Sequence, residues 1–429
     1  VYKRQNKKNT MKKKLLIFSD CFTFGGSEYV VVNILKSKNI QAYFDLIFAY
    51  REHREYNFYV NRLLSEERNV SLVPIKIWSN ATFFHNINKK IKNKYLRYLI
   101  KLPMWLLSQI GPYEWNNNRL FRKLLREIKP DLIHVNNGGY PASESCLYLT
   151  ICAKKNGIKN ILQINNCALP ISFKSRRDKK VEKSTDAFIT ATEYARKELA
   201  QNRHFDINKI ITLFNAVDLP HPQKKRDLVC KELGINPDNF IITEVALLEQ
   251  RKGQIPFLKS LLELEKIDKV LYDKTIILLV GNGEDESAIR NFISLQKLES
   301  KVLLLGYRMD YIDIVNASDV FALPSLYNED MPLSILSAMA LSKPILSSNI
   351  AGIPEEVKDG INGYLVDPLS TSFEYDIAIC IIRIFNNLET FGNASFVLYS
   401  NNFNRKIYET QLLHIYNSII QSNNDIFQS

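Results

Sequence analysis

Residues 324–368 read PSLYNEDMPLSILSAMALSKPILSSNIAGIPEEVKDGINGYLVDP. An apolar strand, Val320 to Leu323, runs out just before this stretch, and a loop carrying Glu329 and Asp330 follows it. Pro332 is placed to start a helix, in which Leu333, Leu336 and Ala340 recur at helical spacing. Pro344 ends that helix, Ile345 to Ser347 reads as another short strand, and Gly352-Ile353-Pro354-Glu355 opens a second helix. Two strand-to-helix junctions thus follow one another. In an open parallel sheet both lie at the carboxyl edge, where helix N-termini point unpaired N–H groups at a bound ligand, an arrangement suited to a phosphorylated molecule.

The same rhythm extends in both directions. Phe240 to Val245, Thr275 to Val280 and Val302 to Leu305 are apolar runs separated by helical patterns. Earlier in the chain Leu15 to Ser19, Phe44 to Phe48, Ser71 to Val73, Asn160 to Ile164, Ala187 to Thr190 and Ile210 to Phe214 repeat the theme, with a further buried strand expected after Pro130. Strands alternating with helices predict doubly wound parallel sheets. With 429 residues, the chain is too long for one ordinary core, so two such domains facing a cleft are expected. Residues 1–10 are read as a disordered or non-native extension ahead of Met11.

Charge divides the chain. Residues 1–218 hold 38 Lys and Arg against 18 Asp and Glu, whereas the remainder is mildly acidic. A basic first half suits an acidic partner such as a membrane surface or a pyrophosphate-bearing lipid, or else is simply a basic soluble surface. Between Asn86 and Ile110, Lys89, Lys90, Lys92, Lys94, Arg97 and Lys101 are interleaved with Ile91, Tyr95, Leu96, Tyr98, Leu99, Trp105 and Leu106. That pattern reads either as an interfacial anchor or as a helix packing its apolar stripe on its own domain. No nucleic-acid-binding motif accompanies it. No run of apolar residues is long enough to span a bilayer. Six cysteines are scattered without a C-x-x-C pair, the usage of a reduced, cytoplasmic protein without a structural zinc.

Several strand exits carry candidate ligand-binding groups. Gly25 and Gly26 separate the first strand from a helix; they allow close backbone approach to a ligand, or serve only a tight turn. His134 reads as a core histidine, while Asn136 and Asn137, nearer the strand exit, are placed to meet a ligand. Arg251 and Lys252 precede Gly253 as a cation pair suited to a diphosphate. Gly281-Asn282-Gly283 lacks the third glycine of a dinucleotide fingerprint, since Glu286 stands there.

Taken in order, these landmarks resemble glycosyltransferase family 4, retaining enzymes of the GT-B fold that use nucleotide-activated sugars. The resemblance runs from Met11 to about Ile420. It is densest in Lys252-Gly253, Gly281-Asn282-Gly283, Gly306-Tyr307-Arg308, Ala317-Ser318-Asp319, Glu329, Ala338-Met339-Ala340, Gly352-Ile353-Pro354-Glu355 and Gly363-Tyr364-Leu365-Val366. It implies an α/β, GT-B fold with two Rossmann-like doubly wound domains. Residues 11–204 would bind acceptor, residues 205–402 would bind the nucleotide-sugar donor, and residues 403–429 would form a closing helix on the first domain.

The resemblance also implies roles. Glu329 corresponds to the first carboxylate of the Glu-x7-Glu motif and would be catalytic and sugar-holding, with Asp330, Met331 and Pro332 beside it; Asn136 is the catalytic candidate of the first domain. Lys252, Arg251, Gly25 and Gly26 would hold the donor diphosphate; Gly281, Tyr307, Arg308 and Ser337 would hold the nucleotide. The donor is expected to be a UDP-sugar, with no cofactor and no metal. The acceptor is expected to be a lipid-linked glycan or oligosaccharide in capsule, exopolysaccharide or O-antigen synthesis, with the protein cytoplasmic or peripheral on the membrane's cytoplasmic face and no nucleic acid as partner. Three positions depart from the family pattern. Ser337 replaces its second glutamate, Leu247 an arginine, and Asn136 the second histidine of a His-x-His. These departures motivate one alternative, a catalytically silent homologue that binds a glycan or partner enzyme; a sugar-nucleotide epimerase on the same scaffold is a second.

Overall fold

The computed structural model describes residues 12–21, 24–79, 93–109, 112–166, 168–170 and 175–422, together with residues 84, 87 and 91. The expected extension over residues 1–10 lies outside the described residues. The chain divides into two compact units. The first comprises residues 1–190, 196–211 and 409–429; the second comprises residues 191–195 and 212–408.

The first unit is built on β1 (Lys13–Ser19), β2 (Phe44–Arg51), β3 (Val70–Ile75), β4 (Leu132–Asn137), β5 (Lys159–Ile164), β6 (Ala187–Thr190) and β7 (Ile210–Thr212). They form a seven-stranded sheet in the order β3-β2-β1-β4-β5-β6-β7. Leu15–Phe18 of β1 and Leu132, Ile133 and Val135 of β4 are completely buried, as central parallel strands covered on both faces require. The last helix, Arg405–Gln421, sends Tyr416 to His134, with Oη 2.7 Å from Nδ1. His134 Nε2 is 2.9 Å from Gln163 Oε1, so both ring nitrogens are occupied. Burial holds its pKa down, at about 4. This is a neutral core histidine.

The second unit contains β8 (Phe240–Val245), β9 (Thr275–Val280), β10 (Val302–Gly306), β11 (Val320–Leu323), β12 (Ile345–Ser348) and β13 (Gly363–Val366). The sheet order is β10-β9-β8-β11-β12-β13, with parallel pairings throughout. Most of these strands coincide with the apolar runs. β13 is an addition, reading in sequence as a family landmark rather than as a strand. The second expected helix shrinks to one turn, Ile353–Glu356. Val357 is already extended, and the turn is too short to act as a helix N-terminus. Its Glu355 instead accepts hydrogen bonds from the backbone N–H groups of Glu193 (2.8 Å) and Tyr194 (2.7 Å).

Sheet order fixes where ligands are received. In each unit the chain winds outward from one central strand, then returns to add strands on that strand's other side. The reversal falls between β1 and β4 in the first unit and between β8 and β11 in the second. Loops leaving the carboxyl ends of these pairs flank the crevice that such a reversal opens.

Gly253 shows how tightly the second pair is joined. It adopts φ +77°, and a Cβ there would drive into the Pro324 carbonyl. Gly306, at φ +66°, faces open space. Both conformations disfavour L side chains, but only the first also forbids the volume. Gly306→Ala should therefore cost about 1 kcal/mol of stability, and Gly253→Ala should cost clearly more, about 2–4 kcal/mol. Urea denaturation of the two variants would check the order.

Candidate functional site

Apart from Ser337, which lies within the helix Leu333–Ala340, the candidate residues of the second unit sit on loops leaving the carboxyl ends of its strands. Arg251 and Lys252 follow β8, Gly281 follows β9, Tyr307 and Arg308 follow β10, and Glu329, Asp330, Met331 and Pro332 follow β11. The β8 and β11 loops are laced by a backbone hydrogen bond from Leu326 N to Arg251 O, 2.7 Å long. Asn328, at φ +56°, turns the chain so that Glu329 points back toward the β8 loop.

Glu329 is 6% exposed and Lys252 is 8% exposed, so each charge is largely removed from water and needs a partner. Lys252 Nζ donates to Glu329 Oε1. Arg251 Nη1 donates to the same oxygen at 3.1 Å, and Ser325 Oγ does so at 3.1 Å. Two cations therefore converge on one carboxylate at the β8/β11 reversal. Arg251 supplies the second cation where Leu247, half exposed, cannot.

A second carboxyl group lies beneath this cluster. Glu244, on β8, is 1% exposed; its Oε1 accepts from Gln254 Nε2 at 2.7 Å, and its Oε2 has no hydrogen-bond partner. Burial raises its pKa to about 8, against the opposing pull of Lys252 and the Gln254 hydrogen bond; the negative Glu329 raises it further. Asp330 is similarly placed. Burial, with Glu355 and Glu329 nearby, raises its pKa to about 7, although its hydrogen bond from Thr192 Oγ1 opposes the shift. Glu356, fully buried with neither oxygen partnered, is pushed well above the carboxylate range by burial and then by Glu329, Asp330 and Glu355.

The remaining candidates are more committed to their own loops. Ser337 Oγ bonds back to Leu333 O at 2.9 Å, one turn earlier in its helix. Arg308 is paired with Asp310 through two 2.7 Å hydrogen bonds, while Tyr307 is 54% exposed. Met331 is a core residue: it is 4% exposed, its Sδ and carbonyl oxygen accept from Asn215 N (3.2 Å) and Nδ2 (3.1 Å), and Pro332 caps the following helix. Thr192, Asn215 and Glu244 are positioning residues outside the candidate set. Asn215 carried a signal within residues 214–218, which resemble the family's segment after the domain crossover, and Glu244 as the one charged residue of its strand.

In the first unit Gly25 caps the helix Gly26–Lys36, and a Cβ on Gly25 or Gly26 would meet nothing within 4 Å. No packing constraint demands glycine there, so the open reading, backbone approach by a ligand, keeps its force. Asn136, next to the exit of β4, is fully buried. Its Nδ2 donates to Ser19 Oγ (3.1 Å) and Ser27 O (3.4 Å), and its Oδ1 accepts from Asn165 Nδ2 (2.6 Å). A carboxamide at the end of a central strand is covered by the neighbouring loops and ties β4 to the glycine turn. Beside it, Asp20 and Arg51 form a buried ion pair completed by Ser145. Among the described residues no group of His, Cys, Asp and Glu could hold a metal ion, and no helix is long and apolar enough to cross a membrane.

Two units, each on a doubly wound sheet, and paired cations at the strand reversal of the second fit a two-domain Rossmann-like α/β fold. Residues 225–378 match the family model "Glycosyl transferases group 1", and residues 82–220 match "Glycosyltransferase Family 4". The chain belongs to the family 4-like glycosyltransferases. It is 29% identical over 260 residues to the Escherichia coli UDP-Gal:alpha-D-GlcNAc-diphosphoundecaprenol alpha-1,3-galactosyltransferase, a match spanning 57% of this chain and 64% of that enzyme. It is 28% identical over 177 residues to the Bacillus anthracis N-acetyl-alpha-D-glucosaminyl L-malate synthase, spanning 41% of this chain and 44% of that one. Both matches thus span less than two thirds of the relative. In fold it is similar to Anabaena HepE crystallised with UDP, with TM-score 0.72, 16% identity, and coverage of 94% of this chain and 100% of that one.

The buried carboxyls give stability a defined pH dependence. Glu244 is protonated in the folded protein up to about pH 8, whereas its unfolded counterpart ionises near its ordinary value of 4.5. Between those limits the unfolded state binds fewer protons, so this group's contribution to stability falls as pH rises and levels off above about 8. Asp330 contributes the same sign between 3.8 and about 7. Urea midpoints at pH 5 to 8.5 should decline with pH, and Glu244→Gln should flatten the decline.

Proposed function

We propose that the protein transfers a sugar, with retention of anomeric configuration, from a nucleoside diphosphate donor to a lipid-linked or oligosaccharide acceptor. The second unit is assigned the donor and the first unit the acceptor. The donor is a UDP-sugar, and the product is a bacterial surface glycan of the capsule, exopolysaccharide or O-antigen kind, made at the cytoplasmic face of the membrane. The observation that carries this reading is the convergence of Lys252 and Arg251 on Glu329 at the β8/β11 reversal. The relatives support the substrate class: the E. coli enzyme uses UDP-Gal and a diphosphoundecaprenol-linked sugar, and HepE holds UDP.

Departure of a nucleoside diphosphate places growing negative charge on the leaving phosphate while the sugar becomes oxocarbenium-like. Fixed cations stabilise that charge without reorganising during reaction. In this reading the donor diphosphate takes over Lys252 and Arg251. Glu329, released from them, accepts hydrogen bonds from the sugar hydroxyls. The leaving phosphate takes the acceptor's proton on the same face, so no second catalytic carboxylate is required. Ser337, whose hydroxyl proton is given to Leu333 O and which carries no charge, favours a second reading in which the protein binds a glycan or partner enzyme without transfer.

Calorimetry with UDP separates the two. Transfer requires UDP binding, and loss of a charge-assisted contact in Lys252→Ala should weaken it by about 10- to 100-fold. Silence toward every nucleoside diphosphate would support the second reading. In a panel of labelled UDP-sugars with lipid-pyrophosphate acceptors, wild-type protein should show transfer that Glu329→Ala lacks; equal signals from both would remove Glu329 from the chemistry.

A further inference from the structure

The helix Lys94–Gln109 belongs to the first unit, and its described side chains, up to Pro103, are arranged in an unusual way. At about 100° per residue, Tyr98, Leu102, Tyr95, Leu99, Leu96 and Ile100 occupy one continuous arc of about 200°. Lys94, Arg97 and Lys101 occupy the other side. A helix so divided normally turns its apolar arc to the domain core and its cations to water. Here most of the apolar arc faces water. Tyr95 is 72% exposed, Tyr98 67%, Leu99 64%, Leu96 48% and Ile100 38%, while Arg97 and Lys101 are only partly exposed and the Lys101 ammonium lies 5.2 Å over the Phe84 ring.

Single exposed apolar residues are ordinary, but five among the six positions 95–100 form a contiguous patch, which marks an interaction surface. We propose that this helix docks on an anionic lipid bilayer, lying in the plane of the interface with Tyr95, Tyr98 and Leu99 inserted at headgroup depth. Tyrosine suits that depth because its ring is apolar and its hydroxyl stays hydrated. The long stems of Lys94, Arg97 and Lys101 bring their cations back toward the headgroups. Charge also selects the occupant. Residues 1–218 carry 38 Lys and Arg against 18 Asp and Glu, so a second copy meeting this helix through its own would present the same excess and be repelled, whereas acidic lipids attract it. The inference gives the membrane-surface part of the proposed function a physical element, and it is read without donor or transfer, so either can fail alone.

The full chain is sedimented with sucrose-loaded vesicles of phosphatidylcholine alone or mixed with phosphatidylglycerol, in about 0.1 M and about 0.5 M salt. The expected result is association with the anionic vesicles that weakens in high salt. Tyr95→Ser with Leu99→Ser should lower that association at least about tenfold, with an unchanged melting temperature because both side chains are exposed. Recovery of wild-type protein in the supernatant, equal binding to neutral vesicles, or undiminished binding by the variant would overturn the proposal. So would a dimer that the two substitutions dissolve without any vesicle binding, which would assign the patch to a second copy.

Discussion

Glu329 is a carboxylate almost out of water, and everything around it is arranged so that it is never unpaired. Lys252 and Arg251 reach the same oxygen from a loop 77 and 78 residues away in sequence, which demands that the β8 and β11 loops touch. Gly253 permits that contact by letting the β8 loop rest on the Pro324 carbonyl, and Leu326 N closes it through Arg251 O. Removing one member of such a buried group leaves the others charged and unsatisfied, so the cluster persists only as a unit or when an equivalent anion replaces Glu329. A diphosphate is such an anion, and the proposed function rests on this exchange.

The carboxyls behind Glu329 make sense in the same terms. Glu244, Asp330 and Glu356 are buried close to the cluster and are held toward their neutral forms, first of all by burial. Were they ionised, they would compete with Glu329 and with any phosphate for Lys252 and Arg251. Kept neutral, they leave those cations to the groups above them. The cost is a protein that loses part of its stability as pH rises through the range in which the unfolded chain would ionise the same groups.

Much of this was legible in sequence because parallel strands covered on both faces read as unbroken apolar runs: Thr275–Val280 and Val320–Leu323 are delimited by composition alone. The strand exits bearing Lys252, Glu329 and Tyr307 followed from the same boundaries. What escaped depends on distant parts of the chain. β13 is four residues behind a turn, without its own periodic signal. The hold of Asn215 on Met331 and of Thr192 on Asp330 joins segments 116 and 138 residues apart. The depth of Asn136 was hidden because depth at a strand end is set by neighbouring loops, here those bearing Ser27 and Asn165. The direction faced by the Lys94–Gln109 helix was equally hidden, since its sequence fits either orientation.

A crystal structure of the protein with UDP tests the central exchange most directly. The account predicts diphosphate oxygens within hydrogen-bonding distance of Lys252 Nζ and the Arg251 guanidinium, with Glu329 Oε1 no longer bound to either cation. Diphosphate seated elsewhere, with the Lys252–Glu329 pair intact beneath a bound nucleotide, would contradict it.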